Sequence, residues 1–249
     1  MSQASAQPLP LWSPDDGVDR VLVVTAHPDD VDFGAAGTVA VFTDAGVEVA
    51  YCIVTDGEAG GEDRSMPRSE MAEIRRREQR AAAAEVGVRD VSFLGYPDGR
   101  VAADFDLRRD VTRVIRRFRP QRVIAQSPER NWDRVFASHP DHLAAAEAAA
   151  CAVYPDARNP FAHPELLHEG LEPHTVDELW LMAFPEPTVA VDTSTTFDRK
   201  VAALRQHRSQ VGEGEHIEGL LREWSTAMAR AAGLPEGALA EAYRVVRAS

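Results

Sequence analysis

The chain has 249 residues and 44% hydrophobic content, which is enough to bury the core of one α/β domain, although this length also permits two. Its formal net charge is −13, with 40 acidic against 27 basic residues, so it would repel a phosphate backbone or an anionic lipid surface, which argues against nucleic acid or a membrane as a partner. The two cysteines, the lack of a basic and apolar leader and the lack of any apolar run near ~20 residues predict a cytoplasmic protein without disulfides.

The predicted elements alternate between strands and helices. Residues 1–17 are rich in Ser, Gln, Pro and Asp and are predicted to form a flexible arm, and residues 18–249 a single domain. The apolar, β-branched run 21–26 predicts a first strand that is buried on both faces. Further along the chain, the patterns predict a helix at 34–45, a strand at 47–55, a helix at 69–86, a strand at 91–94, a helix at 107–118, a strand at 123–126, an alanine-rich helix at 138–153 and strands at 178–183 and 188–191. The last 40 residues are predicted to form two helices ending near Val246.

This alternation is typical of α/β proteins. It predicts a Rossmann-like three-layer sandwich with a mostly parallel central sheet. Right-handed crossovers bring the loops after parallel strands to one edge, and open α/β sheets bind ligands at that carboxyl edge. We therefore expect the functional site at the C-terminal edge of the strands.

Two tetrads of His and Asp are expected at this edge. Residues 27–30 (His-Pro-Asp-Asp) follow the first strand, and residues 139–142 (His-Pro-Asp-His) precede the alanine-rich helix. Imidazole nitrogens and carboxylate oxygens are ordinary zinc ligands, and a catalytic zinc has three protein ligands and one open position for water. The outer residues of a tetrad are three apart and can face the same point in a tight turn. His27 and Asp30 could therefore bind one metal ion together with His142.

The remaining tetrad residues suit acid–base chemistry beside such a metal. Asp29 could lie next to the open coordination position, with His139 one turn away from the third ligand. Helix capping is the alternative interpretation: Asp30 could cap the helix that follows it, and Ser138 with Asp141 forms a capping-box pattern. Ionisable groups at the end of a buried strand are costly without a partner, which favours the metal site.

These motifs, in this order, resemble the LmbE-like or PIG-L family of zinc N-deacetylases over most of residues 20–210. The matching positions are Ala26 to Asp30 with Gly34 and Gly37, Thr55 to Glu58, Arg75 with Glu78, Leu94 to Gly99, and Ser138 to His142. The resemblance implies the LmbE-like fold and one Zn²⁺ per chain.

The resemblance also implies a role for each tetrad residue. The family's metal ligands correspond to His27, Asp30 and His142. Its general base corresponds to Asp29, and the residue that assists at the oxyanion and the leaving amine corresponds to His139. These roles agree with those inferred from the residues themselves.

Asp141 resembles the family's acid that orients or tunes the neighbouring histidine. The sequence departs from the family pattern at two places. Val31 and then Asp32 follow the first tetrad, where many members carry Glu directly. Ala137 stands where some members carry a tyrosine, so no tyrosine is expected to assist at the oxyanion.

Four further residues are candidates for substrate binding. Arg75 matches the family's Arg-x-x-Glu pattern and could hydrogen-bond a sugar hydroxyl or phosphate; alternatively, it and the neighbouring arginines form a solvated helix face with intrahelical ion pairs. Asp56 and Glu58 lie in the Gly-rich stretch 55–61, which suits a loop over the site or an ordinary surface turn. Asp98 lies in a Tyr-Pro-Asp-Gly turn that follows the third predicted strand.

Together these features predict a zinc-dependent hydrolase that cleaves an N-acyl, in particular N-acetyl, amide of a small amino-sugar conjugate by metal-activated water, with Asp29 as the base. The amine then leaves with a proton from Asp29 or His139. Alternatives within the family are a thiol-conjugate amidase and an antibiotic-tailoring deacetylase; outside this activity, a non-catalytic zinc- or sugar-binding module is an alternative. A phosphoesterase with two metals would need more ligands. The resemblance also implies a homo-oligomer, either a trimer or a hexamer.

Overall fold

The computed structural model describes residues 8–14, 17–132, 135, 138–212 and 216–249, which it organises around one sheet. The strands of this sheet are β1 (Arg20–Thr25), β2 (Glu48–Thr55), β3 (Asp90–Tyr96), β4 (Arg122–Ala125), β5 (Glu178–Met182), β6 (Val189–Asp192) and β7 (Ala240–Arg247). The helices are α1 (Asp30–Gly34), α2 (Ala36–Asp44), α3 (Arg68–Glu85), α4 (Phe105–Phe118), α5 (Pro140–Cys151), α6 (Glu165–His168), α7 (Phe197–Gln206), α8 (Arg208–Val211) and α9 (Ile217–Ala231). An irregular turn, Ala152–Asp156, follows α5.

The strands are ordered β3-β2-β1-β4-β5-β7-β6. The first five strands in this order, β3, β2, β1, β4 and β5, are all parallel to their neighbours. β7 runs antiparallel to both β5 and β6. The chain leaves β1 towards β2 on one side and later returns to β4 on the other side. This reversal creates the crevice at the carboxyl edge where open α/β sheets bind their ligands.

Two apolar clusters cover the faces of the sheet and make the three-layer sandwich. Leu22 of β1 lies in one cluster with Leu107 of α4, and its neighbour Val21 lies in the other with Phe42 of α2. All four side chains are fully buried, and each such burial contributes about 1.5–3 kcal/mol. The predicted α/β fold with a mostly parallel sheet is confirmed.

The prediction of two helices at the C-terminus is wrong for the second one. The chain forms α9 and then β7, which is inserted between β5 and β6. Tyr243 of β7 is fully buried against Trp180 of β5, with ring centroids 5.2 Å apart. The helix predicted at 34–45 is also two helices, because the backbone of Ala35 leaves the helical conformation (φ −144°).

Part of the predicted N-terminal arm lies against the sheet. The Trp12 amide donates to Ala190 O of β6 at 2.8 Å, and Ala190 N donates to Pro10 O at 2.9 Å. The Trp12 ring packs edge-on against Phe42 at 4.8 Å. Residues 1–7 and 15–16 lie outside the described residues, and the single domain at 18–249 stays a prediction. Across the described ranges, no helix combines the length and the apolar character needed to cross a membrane.

Candidate metal centre and active site

Both tetrads lie at the carboxyl edge of the sheet, beyond the ends of the neighbouring strands β1 and β4. The first follows β1 directly, and the second leads into α5. The Gln126 side chain, just after β4, accepts a hydrogen bond from Ala26 N at 3.1 Å and links the two loops. Two tetrads whose residues are 109 (139 − 30) to 115 (142 − 27) positions apart in the sequence therefore come together in the fold.

His27, Asp30 and His142 converge on a common point. His27 Nδ1 is 3.2 Å from His142 Nε2 and 3.5 Å from Asp30 Oδ2, and His142 Nε2 is 3.1 Å from Asp30 Oδ1. Ligand atoms that lie about 2.0–2.2 Å from a zinc ion are at most about 4.4 Å apart. The three side chains fit a metal ion of this size. A triple formed by His27, His139 and His142 also has ligand atoms within 4.8 Å of one another, so the site can hold a metal ion.

The other ring nitrogen of His27 faces two carboxylates. His27 Nε2 is 3.1 Å from Asp98 Oδ1 and 3.3 Å from Asp141 Oδ2. Asp141 is 1% exposed, and it is held by hydrogen bonds from Gly99 N (2.7 Å) and Val101 N (3.2 Å). A carboxylate that accepts the second N–H of a ligand histidine fixes the tautomer and the ring orientation. Asp98 and Asp141 therefore turn His27 Nδ1 towards Asp30 and His142.

The electrostatics of the site favour a cation. Burial lowers the pKa of His27, but the hydrogen bonds and charges of Asp30 and Asp98 outweigh this effect and raise it to about 10. Burial raises the pKa of Asp30, but His142 and His27 outweigh it and hold that pKa well below its usual range. The same negative potential that raises the His27 pKa attracts a metal ion.

The structure contradicts the capping interpretations. His139, and not Ser138, is the N-cap of α5, and its Nδ1 accepts from Asp141 N at 3.2 Å. The Ser138 hydroxyl instead accepts from Asn131 N at 2.8 Å. Asp30 is the first residue of α1 and accepts from His27 N at 2.7 Å, before the helix begins. Ala137, where some family members carry tyrosine, lies outside the described residues.

Asp29 lies next to Asp30, in the loop between β1 and α1, and its side chain is 15% exposed. Its backbone is left-handed (φ 93°), and its amide donates to Gln79 Oε1 at 2.8 Å. Its carboxylate receives Arg75 Nη2 at 2.9 Å. Burial raises the pKa of Asp29 to about 6, against the opposing charge of Arg75 and with the help of Asp30. A carboxylate with such a pKa can accept a proton near neutral pH.

His139 is exposed, so it faces the solution side of the centre. Its ring centroid is 5.0 Å from that of His27 and 5.3 Å from that of His142. Burial, followed by the charges of these two histidines, lowers the pKa of His139. Its position allows it to contact a substrate bound at the metal centre.

Arg75 is buried rather than part of a solvated helix face, so that interpretation is wrong for this residue. It is 4% exposed and donates to Pro28 O, to Gly57 O (3.0 Å) and to Asp29. A Cβ at Gly57 or Gly60 would collide with the guanidinium, so glycine lets the loop close over Arg75. The direct substrate contact predicted for Arg75 stays a prediction.

The other substrate-binding candidates differ in their distance from the metal centre. Asp98 lies at His27, as described above, and its Oδ2 also accepts from Ala59 N at 3.0 Å. Glu58 Oε1 accepts from Asp98 N at 2.9 Å, which ties the Gly-rich loop to the Asp98 turn. Asp56 forms a bidentate ion pair with Arg76 of α3. None of the described contacts of Asp56 involves a predicted metal ligand.

Sequence reasoning missed three buried polar residues behind Asp29. Gln79, Asp32 and His207 have no exposed surface, and hydrogen bonds join them to one another. Gln79 lies one helical turn after Arg75 on α3, and this spacing is the signal that could have placed it on the same helix face as Arg75. His207 belongs to the scattered histidines of the second half, and no spacing pattern connects it with Asp32.

Comparisons with known proteins identify the family of this chain. Residues 22–153 match the family model PIG-L, described as GlcNAc-PI de-N-acetylase. The chain is 32% identical over 204 residues to the diacetylchitobiose deacetylase of Thermococcus kodakarensis, covering 80% of this chain and 73% of that protein. It is 33% identical over 198 residues to a probable N-acetyl-alpha-D-glucosaminyl L-malate deacetylase 2 of Bacillus cereus, covering 77% and 83% of the two chains.

The fold is similar to the structure of the N,N'-diacetylchitobiose deacetylase from Pyrococcus horikoshii. The TM-score is 0.86 at 30% sequence identity, and the match covers 96% of this chain and 87% of that one. The family model spans both tetrads and more than half of the sequence. The chain therefore belongs to the PIG-L family, and it is an enzyme of the N-deacetylase type.

Proposed function

We propose that this enzyme is a zinc-dependent deacetylase that removes the N-acetyl group from a small N-acetylglucosamine-type conjugate. The convergence of His27, Asp30 and His142 within 3.1–3.5 Å, with Asp29 adjacent to Asp30 in the same loop, is the observation that carries the proposal. The relatives described above are named for N-acetylated amino sugars, and they support this substrate class.

One Zn²⁺ per chain, held by His27, Asp30 and His142, would polarise the amide carbonyl and make water acidic enough to react near neutral pH. Their donor chemistry, two imidazoles and one carboxylate, is common in catalytic zinc sites. Asp98 and Asp141 keep the first of these histidines in the orientation that binding requires.

The protein's own residues manage the protons. Asp29 takes one proton from the attacking water, whose oxygen bonds to the carbonyl carbon of the amide. His139, on the exposed side, stabilises the negative charge that develops on the carbonyl oxygen. The C–N bond then breaks, and the nitrogen takes a proton from Asp29 or from His139. The products are a free amine and acetate.

The test measures acetate release from N-acetylglucosamine conjugates, together with the metal content of each protein sample. Wild type with one bound zinc is expected to release acetate, and chelated protein to release none. Asp29→Asn is expected to keep its zinc and to lose at least about 100-fold in kcat, the loss of a general base. As a control, Asp44→Asn changes an exposed carboxylate that pairs with Arg199 on the surface and leaves kcat unchanged.

Two results would contradict the proposal: a wild-type protein that binds no metal, and an Asp29→Asn variant with full activity. A protein that binds no metal and releases no acetate would favour a non-catalytic sugar-binding module, and one that binds zinc but releases no acetate would favour a zinc-binding module. Full activity of Asp29→Asn would exclude Asp29 as the base. Release of the thiol-bearing carboxylic acid from a thiol conjugate, with no acetate from N-acetylated sugars, would instead select the amidase. Acetate release from a glycopeptide antibiotic alone would select the antibiotic-tailoring alternative.

The homo-oligomer, as a trimer or hexamer, and the cytoplasmic location also stay predictions. Among the described residues, four aromatic side chains are 62–88% exposed and support an interface between chains: Phe105, Trp132, Tyr154 and Phe161. Light scattering of the purified protein measures the oligomeric state directly.

A further inference from the structure

A relay of three buried, hydrogen-bonded side chains, Gln79, Asp32 and His207, connects Asp29 to the end of α7. The Asp29 amide donates to Gln79 Oε1 at 2.8 Å, and Gln79 Nε2 donates to Asp32 Oδ2 at 2.9 Å. His207 Nε2 lies 2.8 Å from the same Asp32 oxygen. Gln79, Asp32 and His207 have no exposed surface, so water does not compete for these hydrogen bonds.

The first hydrogen bond of this relay, from Asp29 N to Gln79, stabilises an unusual backbone conformation at Asp29. Asp29 has φ 93°, which is uncommon for a residue with a side chain and persists only when its surroundings hold it there. Gln79 fixes the amide of Asp29, and Arg75 fixes its carboxylate. Together these two residues of α3 set where the carboxylate points.

The rest of the relay fixes which way the Gln79 amide faces. A flipped amide would turn its NH₂ towards the Asp29 N–H and its oxygen towards the Asp32 carboxylate, and both contacts would be repulsive. Asp32 accepts from Gln79 only in the observed orientation. His207 donates to Asp32 and holds that carboxylate in place from the other side.

From this geometry we infer that Gln79, Asp32 and His207 are positioning residues that hold Asp29 in the conformation it needs to take a proton. None of the three has a described contact with the predicted metal ligands. The inference rests on the proposed function, because it assigns Asp29 the role of base. It also connects catalysis to α7 and α8, since His207 separates these two helices.

The alternative is that the relay only stabilises the fold. A second buried pair, His163 with Asp156, provides the matched control: His163 Nε2 lies 3.4 Å from Asp156 Oδ2, and His163 is 2% exposed. This pair packs beside α4 and has no described contact with Asp29. Loss of this pair is expected to destabilise the protein without changing the chemistry.

The experiment compares four variants of the full-length, zinc-loaded protein: Gln79→Met, His207→Leu, His207→Gln and His163→Leu. Gln79→Met keeps the volume and removes both hydrogen bonds, so kcat is expected to fall about 10- to 100-fold, with KM within two-fold of wild type and full zinc content. His207→Leu is expected to lower kcat about ten-fold. His207→Gln restores a donor to Asp32 and is expected to recover most of kcat. His163→Leu keeps the wild-type kcat.

A second measurement does not depend on activity. Hydrogen–deuterium exchange of the backbone amide of Asp29 is expected to accelerate at least ten-fold in Gln79→Met and His207→Leu, and to stay unchanged in His163→Leu. Unchanged kcat and unchanged exchange in Gln79→Met would overturn the inference. So would an equal loss of kcat in His207→Leu and His163→Leu. If wild type releases no acetate, the proposed function fails, and the exchange rates alone decide whether the relay holds Asp29.

Discussion

A buried ion pair joins β7 and α7 to the start of α2. Glu241 and Lys200 have side chains only 5% and 4% exposed. Besides the ammonium of Lys200, Glu241 accepts from Gly37 N (3.2 Å), Thr38 N (2.7 Å) and the Tyr243 hydroxyl (3.1 Å). This carboxylate therefore satisfies the first amides of α2 and holds the helix against the sheet.

Replacing Glu241 with Gln keeps the shape but removes the charge and places an NH₂ group among donors. Lys200, the one lysine of the chain, is then buried without a counter-charge. Breaking a buried pair from one side costs about 3–5 kcal/mol. We expect Glu241→Gln to lower the free energy of unfolding by about 4 kcal/mol, out of a total of about 5–15 kcal/mol.

Replacing Lys200, the other partner of the ion pair, should lower the free energy of unfolding by less. In Lys200→Met the carboxylate keeps three neutral donors and lies at the N-terminus of α2, which carries about half a positive charge. We expect a loss of about 1–3 kcal/mol. In the double variant the cost should be well below the sum of the two single costs, because neither charge is then left alone.

Urea unfolding followed by circular dichroism gives these free energies, and an unchanged m-value shows that the unfolded states are comparable. Arg199→Met is the matched control on the same helix, because Arg199 pairs with Asp44 at an exposed position (2.7 Å); its cost is expected to stay below about 1 kcal/mol. The reasoning is refuted if Glu241→Gln costs less than this control, or if Lys200→Met costs more than Glu241→Gln.

Three further predictions follow from the site and its surroundings. Removing the metal with a chelator should lower Tm, since an ion that binds only the folded state stabilises it, and re-addition of zinc should restore the original value; an unchanged Tm would contradict the metal site. Arg75→Met should lower kcat about 100-fold while zinc is retained, because Asp29 loses its charged partner and the Gly57 carbonyl loses a donor; a rise in KM alone would point to substrate binding instead. Burial lowers the pKa of His207, but Asp32 outweighs it and raises the folded-state pKa above the unfolded value of 6.5, so this pair stabilises the protein fully below pH 6.5 and the contribution is lost as pH rises through the folded-state pKa. Unfolding free energies measured across this range should fall with pH more steeply in wild type than in His207→Gln, and equal slopes would refute the assignment.

The N-terminal half of the fold could be predicted from local patterns. The run Val21–Ala26 is apolar and β-branched, and a strand buried on both faces needs such a run regardless of its neighbours. At the other end of the chain the pattern is less informative: the residues of β7 (Ala-Glu-Ala-Tyr-Arg-Val-Val-Arg) do not alternate regularly between apolar and polar, so no period of two marks a strand there. Its strand conformation depends on pairing with β5 and β6.

For the site, the sequence by itself identified the two tetrads, because the ionisable groups of residues 27–30 at the end of a buried strand are costly unless they bind something, and residues 139–142 form a second such group. It also determined the edge of the sheet on which they meet, since parallel strands share one carboxyl edge. Only the tertiary structure decided which carboxylates orient His27, and that His207 lies behind Asp29. These partners are separated by 114 residues for His27 and Asp141 and by 175 for His207 and Asp32. Hydrogen bonds over such separations leave no periodic trace in the sequence, because they depend on how the helices pack on the sheet and not on the spacing along any one element.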